Sequence, residues 1–287
     1  MKIVKYPDGT SYVKDTKHDN YVNRHDLGNM TFRINNYEDL WSLTQVVDAF
    51  NDSHGTNPNI IIPNLLDAQA DRRFNKGESF GLGLVLRHLV KLNANFTFFH
   101  PHNAEVVEMA FFIAGKKCEI MDNTLYIGKV LRKLSEVGLS SVKWGQDLGK
   151  NLILMSPDAG AFKPMVKLAN KLDWNGEIYS AVKSRDQKTH KLTQEIARED
   201  FGGKDILIID DLMVGGGTLK GLATMLRGKN VGKIYAAVSH ITIQDLGKDP
   251  ITNYVDHMFT TNSKFDWYSA ENSAHPQPKN LRVFKTF

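Results

Sequence analysis

Residues 205–219 gather carboxylates, glycines and a helix start in one short stretch. The apolar run Ile206 to Ile209 reads as a buried strand that delivers two adjacent acids, Asp210 and Asp211. The glycines Gly215, Gly216 and Gly217, followed by Thr218, then open a helix. Backbone N–H groups at such a helix start, unobstructed by side chains, can cradle a phosphate. The neighbouring carboxylates can accept hydrogen bonds from sugar hydroxyls or hold a magnesium-bound ligand. The plainer alternative is a tight turn with a helix cap, and two acids set just before three glycines weigh against it. A second acid, Asp158, lies in the turn Ser156-Pro157-Asp158-Ala159-Gly160 after another apolar run. It can bind Mg²⁺ directly or through water, or cap the helix that begins near Phe162. His100-Pro101-His102 follows a third apolar run. Such a His-x-His pair could suggest zinc, but no cysteine is near and no third ligand is obvious. A loop histidine satisfied by backbone contacts is the other alternative.

The elements that must position these groups are strands and helices in alternation. Short β-rich apolar runs recur at 60–62, 96–99, 152–155, 178–182, 206–209 and 234–238. Helical patterns lie between them: Tyr37 to Phe50 has apolar residues at Leu40, Leu43, Val46, Val47 and Phe50, and 162–172 and 219–226 read similarly. This alternation predicts a parallel α/β architecture. Several runs break off into polar loops, at Pro63-Asn64, at His100, at Ser156 and at Asp210-Asp211. In open α/β sheets ligands bind beyond the carboxyl ends of the strands, so chemistry is expected there. Ile3 to Val13, broken at Asp8-Gly9, reads as a hairpin with a primed turn, and 281–284 as a final strand. A polar, Gly-containing stretch from Val137 to Lys150 divides the chain into 1–140 and 141–287.

Composition bounds the function. At 287 residues, 41% hydrophobic and 24% charged, the chain is an ordinary globular one of about two domains. Lys and Arg exceed Asp and Glu by 36 to 32, and the net charge of +4 is too slight and too scattered for a dedicated nucleic-acid partner. A single cysteine, Cys118, forms no internal disulfide and suits a reducing compartment. The opening residues lack the apolar core of a signal peptide. The longest apolar stretch, Met109 to Gly115, falls far short of a membrane span. The expectation is a cytoplasmic protein with no membrane partner.

Asp210 to Thr218 resembles the ribose-phosphate loop of the phosphoribosyltransferase superfamily. Four further segments, in order, resemble the ribose-phosphate diphosphokinases (PRPP synthetases) in particular. Tyr6-Pro7-Asp8-Gly9 is similar to that family's Phe-Pro-Asp-Gly-Glu hairpin, which receives adenine from a neighbouring subunit. Ala68-Gln69-Ala70-Asp71-Arg72-Arg73-Phe74 is similar to its nucleotide loop, 156–160 to its Ser-Pro-Asp-Ala-Gly turn, and Lys183-Ser184-Arg185 to the Lys-x-Arg opening its catalytic loop. The resemblance covers roughly residues 3–263. It implies two tandem phosphoribosyltransferase-like domains, each a mainly parallel sheet flanked by helices. It also implies Mg²⁺-dependent transfer of the β,γ-diphosphoryl group of ATP to the 1-hydroxyl of ribose 5-phosphate, giving PRPP and AMP for nucleotide biosynthesis. On this basis Lys183 and Arg185 are catalytic, and Tyr6, Asp8, Gln69, Asp71, Arg72 and His102 bind ATP. Asp210, Asp211, Gly215, Gly216, Gly217 and Thr218 bind the sugar phosphate, and His102 and Asp158 serve the metal. A hairpin that feeds a neighbour's site implies a homo-oligomer, a dimer or larger.

The sequence departs from the family pattern in the nucleotide and sugar loops. Gln69-Ala70 stands where the family has Arg-Gln, so one positive charge for the ATP phosphates is missing, and Arg72 or Arg73 is the candidate to compensate. Val214 replaces a third acid, Gly215-Gly216 replaces Thr and a small residue, Thr10 replaces the hairpin glutamate, and His100 stands at a usual acid. Glycine at 215 removes bulk where a 5′ substituent would leave, so a 5′-extended acceptor such as ADP-ribose, within NAD-related metabolism, is an alternative. Two further alternatives are a PRPP-using phosphoribosyltransferase and a catalytically silent regulatory subunit.

Overall fold

The computed structural model of the chain describes residues 2–8, 10–14, 29–136, 148–185, 192–243, 249–265 and 278–287. They form two compact units, 1–122 with Phe287, and 123–286. The helix at 124–136 lies on the N-terminal side of the division expected at residue 140, and it packs within the second unit.

The first unit runs β1 (Lys2–Lys5), β2 (Ser11–Lys14), β3 (Asn29–Thr31), α1 (Tyr37–His54), β4 (Asn59–Ile62), α2 (Gly81–Leu89), β5 (Asn95–Phe99), α3 (Ala104–Ile113) and β6 (Cys118–Met121). The strands β3-β4-β5-β6 form a four-stranded sheet in which every pairing is parallel. α1 begins where Asn36 accepts the Asp39 N–H and ends where Gly55, at φ 65°, turns left-handed and donates to the Asn51 carbonyl. Its buried stripe, Leu40, Leu43, Val46, Val47 and Phe50, is the one read from the sequence. The helix continues past Phe50 through the polar residues 51–54, with Asn51 donating to the Asn93 carbonyl at 3.1 Å, until glycine releases the chain.

β1 and β2 pair antiparallel, from Lys2 opposite Lys14 to Lys5 opposite Ser11. The connection closes with the Tyr6 N–H on the Thr10 carbonyl at 2.8 Å. The turn therefore holds three residues, not the two of a primed turn. Asp8 takes up the slack, its Oδ1 accepting the Thr10 N–H at 3.0 Å and the Thr10 hydroxyl at 2.7 Å. Gly9 lies outside the described residues. Gln45 of α1 donates to the Ser11 carbonyl at 2.7 Å, which ties the hairpin to the helix.

The second unit runs α4 (Thr124–Glu136), α5 (Leu148–Asn151), β7 (Leu152–Ser156), α6 (Phe162–Lys171), β8 (Ile178–Ser180), β9 (Val182–Arg185), β10 (Leu192–Glu195), β11 (Asp205–Met213), α7 (Gly217–Arg227), β12 (Ile234–Ile241), a 3₁₀ turn (Ile251–Asn253), β13 (His257–Thr261) and β14 (Leu281–Phe284). Its six-stranded sheet, in the order β14-β13-β12-β11-β7-β8, is parallel throughout. β7 and β12 are buried along their whole length, as strands covered on both faces must be, which explains their unbroken apolar runs. Each fully buried Leu, Ile or Met there contributes roughly 1.5–3 kcal/mol, so the central strands are a stiff platform for the loops at their ends. The expected final strand at 281–284 is present as β14.

β11 corrects the sequence reading. The apolar run at 206–209 suggested that the strand stops before the acids, but pairing to β12 continues through Asp210 opposite Val238 to Met213 opposite Ile241. Two acids interrupt the hydrophobic pattern without ending the strand, because the neighbouring strand supplies partners regardless of side chain. α2, α3 and α4, β3 and β6 complete the alternation in segments whose periodicity the sequence left unassigned. No helix among the described residues is long and apolar enough to cross a membrane.

Candidate functional site

In the first unit, polar loops follow the carboxyl ends of β4 and β5. The β4 loop carries Asp67 at φ 57°, then Gln69, Asp71 and Arg72; the β5 loop carries His100 at φ 39°, then His102 and Asn103. Asp71 joins the two loops. Its carboxyl is almost wholly buried; Oδ2 accepts the Asn103 side-chain N–H at 2.8 Å and Oδ1 accepts the Arg72 Nε–H at 3.0 Å. Burial acts to raise its pKa, but the hydrogen bonds from Asn103 and Arg72, with the Arg72 and His102 charges, outweigh it and hold the carboxyl below its usual value. Asn103 also caps α3 by accepting the Val106 N–H at 3.2 Å. The sequence reading missed Asn103; its position just before a helical segment is the signal that could have found it.

Further along the β4 loop, Glu78 accepts the Phe74 and Asn75 N–H groups at 2.8 and 3.0 Å, and its own carbonyl accepts the Arg73 Nε–H at 2.9 Å. Arg73 is thus committed to its own loop. Arg72 keeps a side chain 63% exposed and lies over the Phe74 ring at 5.8 Å, so it is the better placed of the two to meet an anion. On the hairpin, Tyr6 is 51% exposed and stacks on Tyr12 at 5.4 Å. The Asp8 carboxylate is occupied by Thr10, and those hydrogen bonds lower its pKa.

In the second unit, β7 and β11 run side by side and bring Asp158 and the Asp210–Asp211 pair to the same end of the sheet. Asp158 accepts the Ala161 N–H at 3.0 Å, so it caps the turn into α6 as well as facing the acids. Desolvation, then the Asp211 charge, with a further push from Asp158, raises Asp210 well above its ordinary carboxyl pKa. The Asp211 N–H on the Asp210 Oδ1 at 3.0 Å only partly offsets this. Three carboxylates thus create a negative field that a cation or a donor-rich sugar would relieve.

The glycine loop stands next to them. Gly216 takes the left-handed conformation, φ 71°, at the cap of α7, and no side chain caps the helix. A Cβ at Gly215 or Gly217 would meet nothing within 4 Å, whereas one at Gly216 would press on the Met213 sulfur at 3.3 Å. The first turn of α7, with Thr218 at its start, therefore presents its N–H groups to an open space, the condition for anion binding. Lys220 is turned aside: it pairs with Asp249 and lies over the Tyr254 ring at 5.7 Å.

Lys183 and Arg185 belong to the β9–β10 hairpin, where Lys183 pairs with Gln194 and Arg185 with Leu192. Their side chains, and residues 186–191, lie outside what is described. Among the described residues no group of three or more His, Cys, Asp or Glu is arranged to hold a metal ion, and this applies to His100 and His102. Magnesium makes a lighter demand, for one or two carboxylates with the remaining positions filled by phosphate and water. The crowded acids of the second unit fit that demand.

Residues 138–278 match the phosphoribosyl transferase domain family. The chain is 24% identical over 261 residues to the ribose-phosphate pyrophosphokinase of Sulfurisphaera tokodaii, covering 90% of this chain and 82% of that one. It is 25% identical over 263 residues to the ribose-phosphate pyrophosphokinase of Thermococcus kodakarensis, covering 92% and 85%. Its fold is similar to the crystal structure of phosphoribosylpyrophosphate synthetase from Mycobacterium smegmatis, with a TM-score of 0.72 at 16% identity over 99% of this chain and 85% of that one.

Proposed function

The chain is a divergent relative of the ribose-phosphate pyrophosphokinases, and from that premise we propose that it transfers the β,γ-diphosphoryl group of ATP to the 1-hydroxyl of ribose 5-phosphate. The observation that carries this reading is the juxtaposition, along one strand-to-helix segment, of two crowded acids with an uncapped, glycine-opened helix start. An anion at the α7 N-terminus would fix the 5′ end of the sugar, while Asp210 and Asp211 accept hydrogen bonds from its hydroxyls.

In the transfer, the acceptor 1-oxygen bonds to the β-phosphorus of ATP and loses its proton. The bond from that phosphorus to the oxygen bridging to the α-phosphate breaks, and AMP leaves. Such a step needs positioning and charge neutralisation more than a covalent nucleophile. Lys183 and Arg185, two residues apart on β9, neutralise the migrating group as its charge develops. In the second unit Asp158 would hold magnesium, which when bound neutralises the phosphates of ATP, and in the first unit His102 would serve the nucleotide side. Asp71 fixes the two loops of the nucleotide side, and Arg72 takes up the charge that Gln69 and Ala70 lack.

One observation favours a second acceptor class. A Cβ added at Gly215 or Gly217 would meet nothing within 4 Å, so the loop offers room at the point where a 5′-extended acceptor such as ADP-ribose would leave it. Incubation with ATP and Mg²⁺ against a panel of sugar phosphates, with product masses measured, tests both. The expected result is AMP release that depends on one acceptor and a product heavier by a diphosphoryl group. Acceptor binding without AMP release would replace this reading with that of a regulatory subunit.

A further inference from the structure

Glu177 lies one residue before β8, on the limb that leads into the β9–β10 hairpin. Arg198 lies three residues beyond β10, on the limb that leaves it. The two side chains meet. Arg198 Nη1 donates to Glu177 Oε2 and, at 2.9 Å, to the Tyr179 hydroxyl; that hydroxyl in turn donates to Glu177 Oε2 at 3.0 Å. Lys204, just ahead of β11, takes the other oxygen of Glu177. The Arg198 guanidinium stands over two rings, Tyr179 at 5.2 Å and Phe201 at 4.9 Å, and Phe201 is fully buried. An isolated surface ion pair contributes little, about 0–1 kcal/mol. Here one carboxylate receives three donors, and the planar cation is fixed by stacking as well as by charge.

We propose that Glu177 and Arg198 form a neck clamp that positions the hairpin carrying Lys183 and Arg185. Glu177 is a positioning residue for the proposed transfer, on which this inference rests. The clamp joins the incoming limb, five residues before the first hairpin pair of Val182 with Glu195, to the outgoing limb three residues after it. Core packing holds the residues flanking that pair, Ala181 and Ile196, but beside the pair itself a cleft of about 510 Å³ opens between Val182, Glu195, Met225 and Lys229. Arg185 stands three residues beyond the base, roughly 10 Å along the strand. About 10° of play at the neck would then move it by nearly 2 Å, and misplacement of about 1 Å can cost two orders of magnitude in rate.

The test uses the full chain with Glu177→Gln and, as a milder variant that keeps every charge, Tyr179→Phe. Amide hydrogen exchange is followed in both, alongside steady-state kinetics with ATP and the best acceptor. Exchange at 182–185 and 192–195 is expected to rise at least tenfold while β7, β11 and β12 stay protected. The kcat should fall about tenfold with both KM values within twofold. Unchanged hairpin exchange overturns the clamp, and so does a rise spread evenly over the whole sheet. Looser hairpin amides with an unaltered kcat overturn the positioning role. A wild-type protein that transfers nothing to any acceptor defeats the proposed function, and the exchange pattern then still decides whether the clamp exists.

Discussion

Asp210 sits at the carboxyl end of a buried strand with Asp211 next to it and Asp158 on the neighbouring loop, and that crowding has opposite effects on stability and on binding. Its folded pKa is raised above the ordinary value near 3.8, so the folded state prefers the neutral acid. Below pH 3.8 the group costs nothing; as pH rises from there, stability falls until the folded pKa is passed. Asp210→Asn removes that penalty. It is expected to stabilise the protein at pH 8 by about 1 kcal/mol, a rise in Tm of roughly 2–4 °C, with little effect at pH 4. The same change should weaken sugar-phosphate binding and leave ATP binding intact. Thermal melts at the two pH values and calorimetric titration with each substrate check this; a destabilised variant at pH 8 would mean the carboxylate is compensated. Asp158 and Asp210 were legible as acids at strand ends, and Asp71 only through the resemblance of its loop. The direction of the Asp210 shift was not, because its largest cause is burial, which only the packed sheet supplies, and Asp158 adds to it from 52 positions away.

At the scale of the element, the glycine loop separates two roles that the sequence GGG leaves equivalent. Gly216 alone of the three has a positive φ, and its missing Cβ also spares the Met213 sulfur. Gly216→Ala is therefore expected to strain the α7 cap and cost about 1 kcal/mol or more, with loss of sugar-phosphate binding whatever the acceptor. Gly215 has neither constraint. Gly215→Thr should fold normally and narrow the open space, lowering kcat/KM for ADP-ribose relative to that for ribose 5-phosphate. An unchanged ratio would remove the case for a 5′-extended acceptor. The helix and the glycines were legible because a helix start needs only local residues. Which glycine is conformationally required depends on how β11 delivers the chain, and β11 runs four residues beyond the apolar pattern that announced it.

At the scale of the whole molecule, acid should release the ties that hold the second unit's long excursion from β8 to β11. Lys204 first, then Tyr179 and Arg198, hold the Glu177 carboxyl down to about 2, against burial and from an ordinary value of 4.5. A depressed acid adds stability above its unfolded pKa and loses it as pH falls through the folded one. The window is therefore about pH 4.5 to 2. Glu177 is a third exposed, so solvent screens part of the gain. Glu177→Gln is expected to lower stability at pH 7 by about 1 kcal/mol, the gap closing as the pH approaches 2. Melts across that range check it, and a gap that stays constant would assign the loss to packing instead of charge.

By itself the sequence determined the parallel α/β class, the pairing of acids with a glycine-opened helix, and the hairpin at the start. Each depends on neighbours within a few residues: apolar runs of strand length, stripes at helical spacing, glycine before a helix. Only the tertiary structure decided which of those groups act together. Asp71 meets Asn103 across 32 residues, Glu177 meets Arg198 across 21, and Arg73 is tied to its own loop by the Glu78 carbonyl. Side-chain partners of that kind leave no periodic trace: Asp71 and Asn103 meet because parallel strands are adjacent across an intervening helix, Glu177 and Arg198 because an antiparallel hairpin returns the chain, and Arg73 and Glu78 because one loop folds on itself.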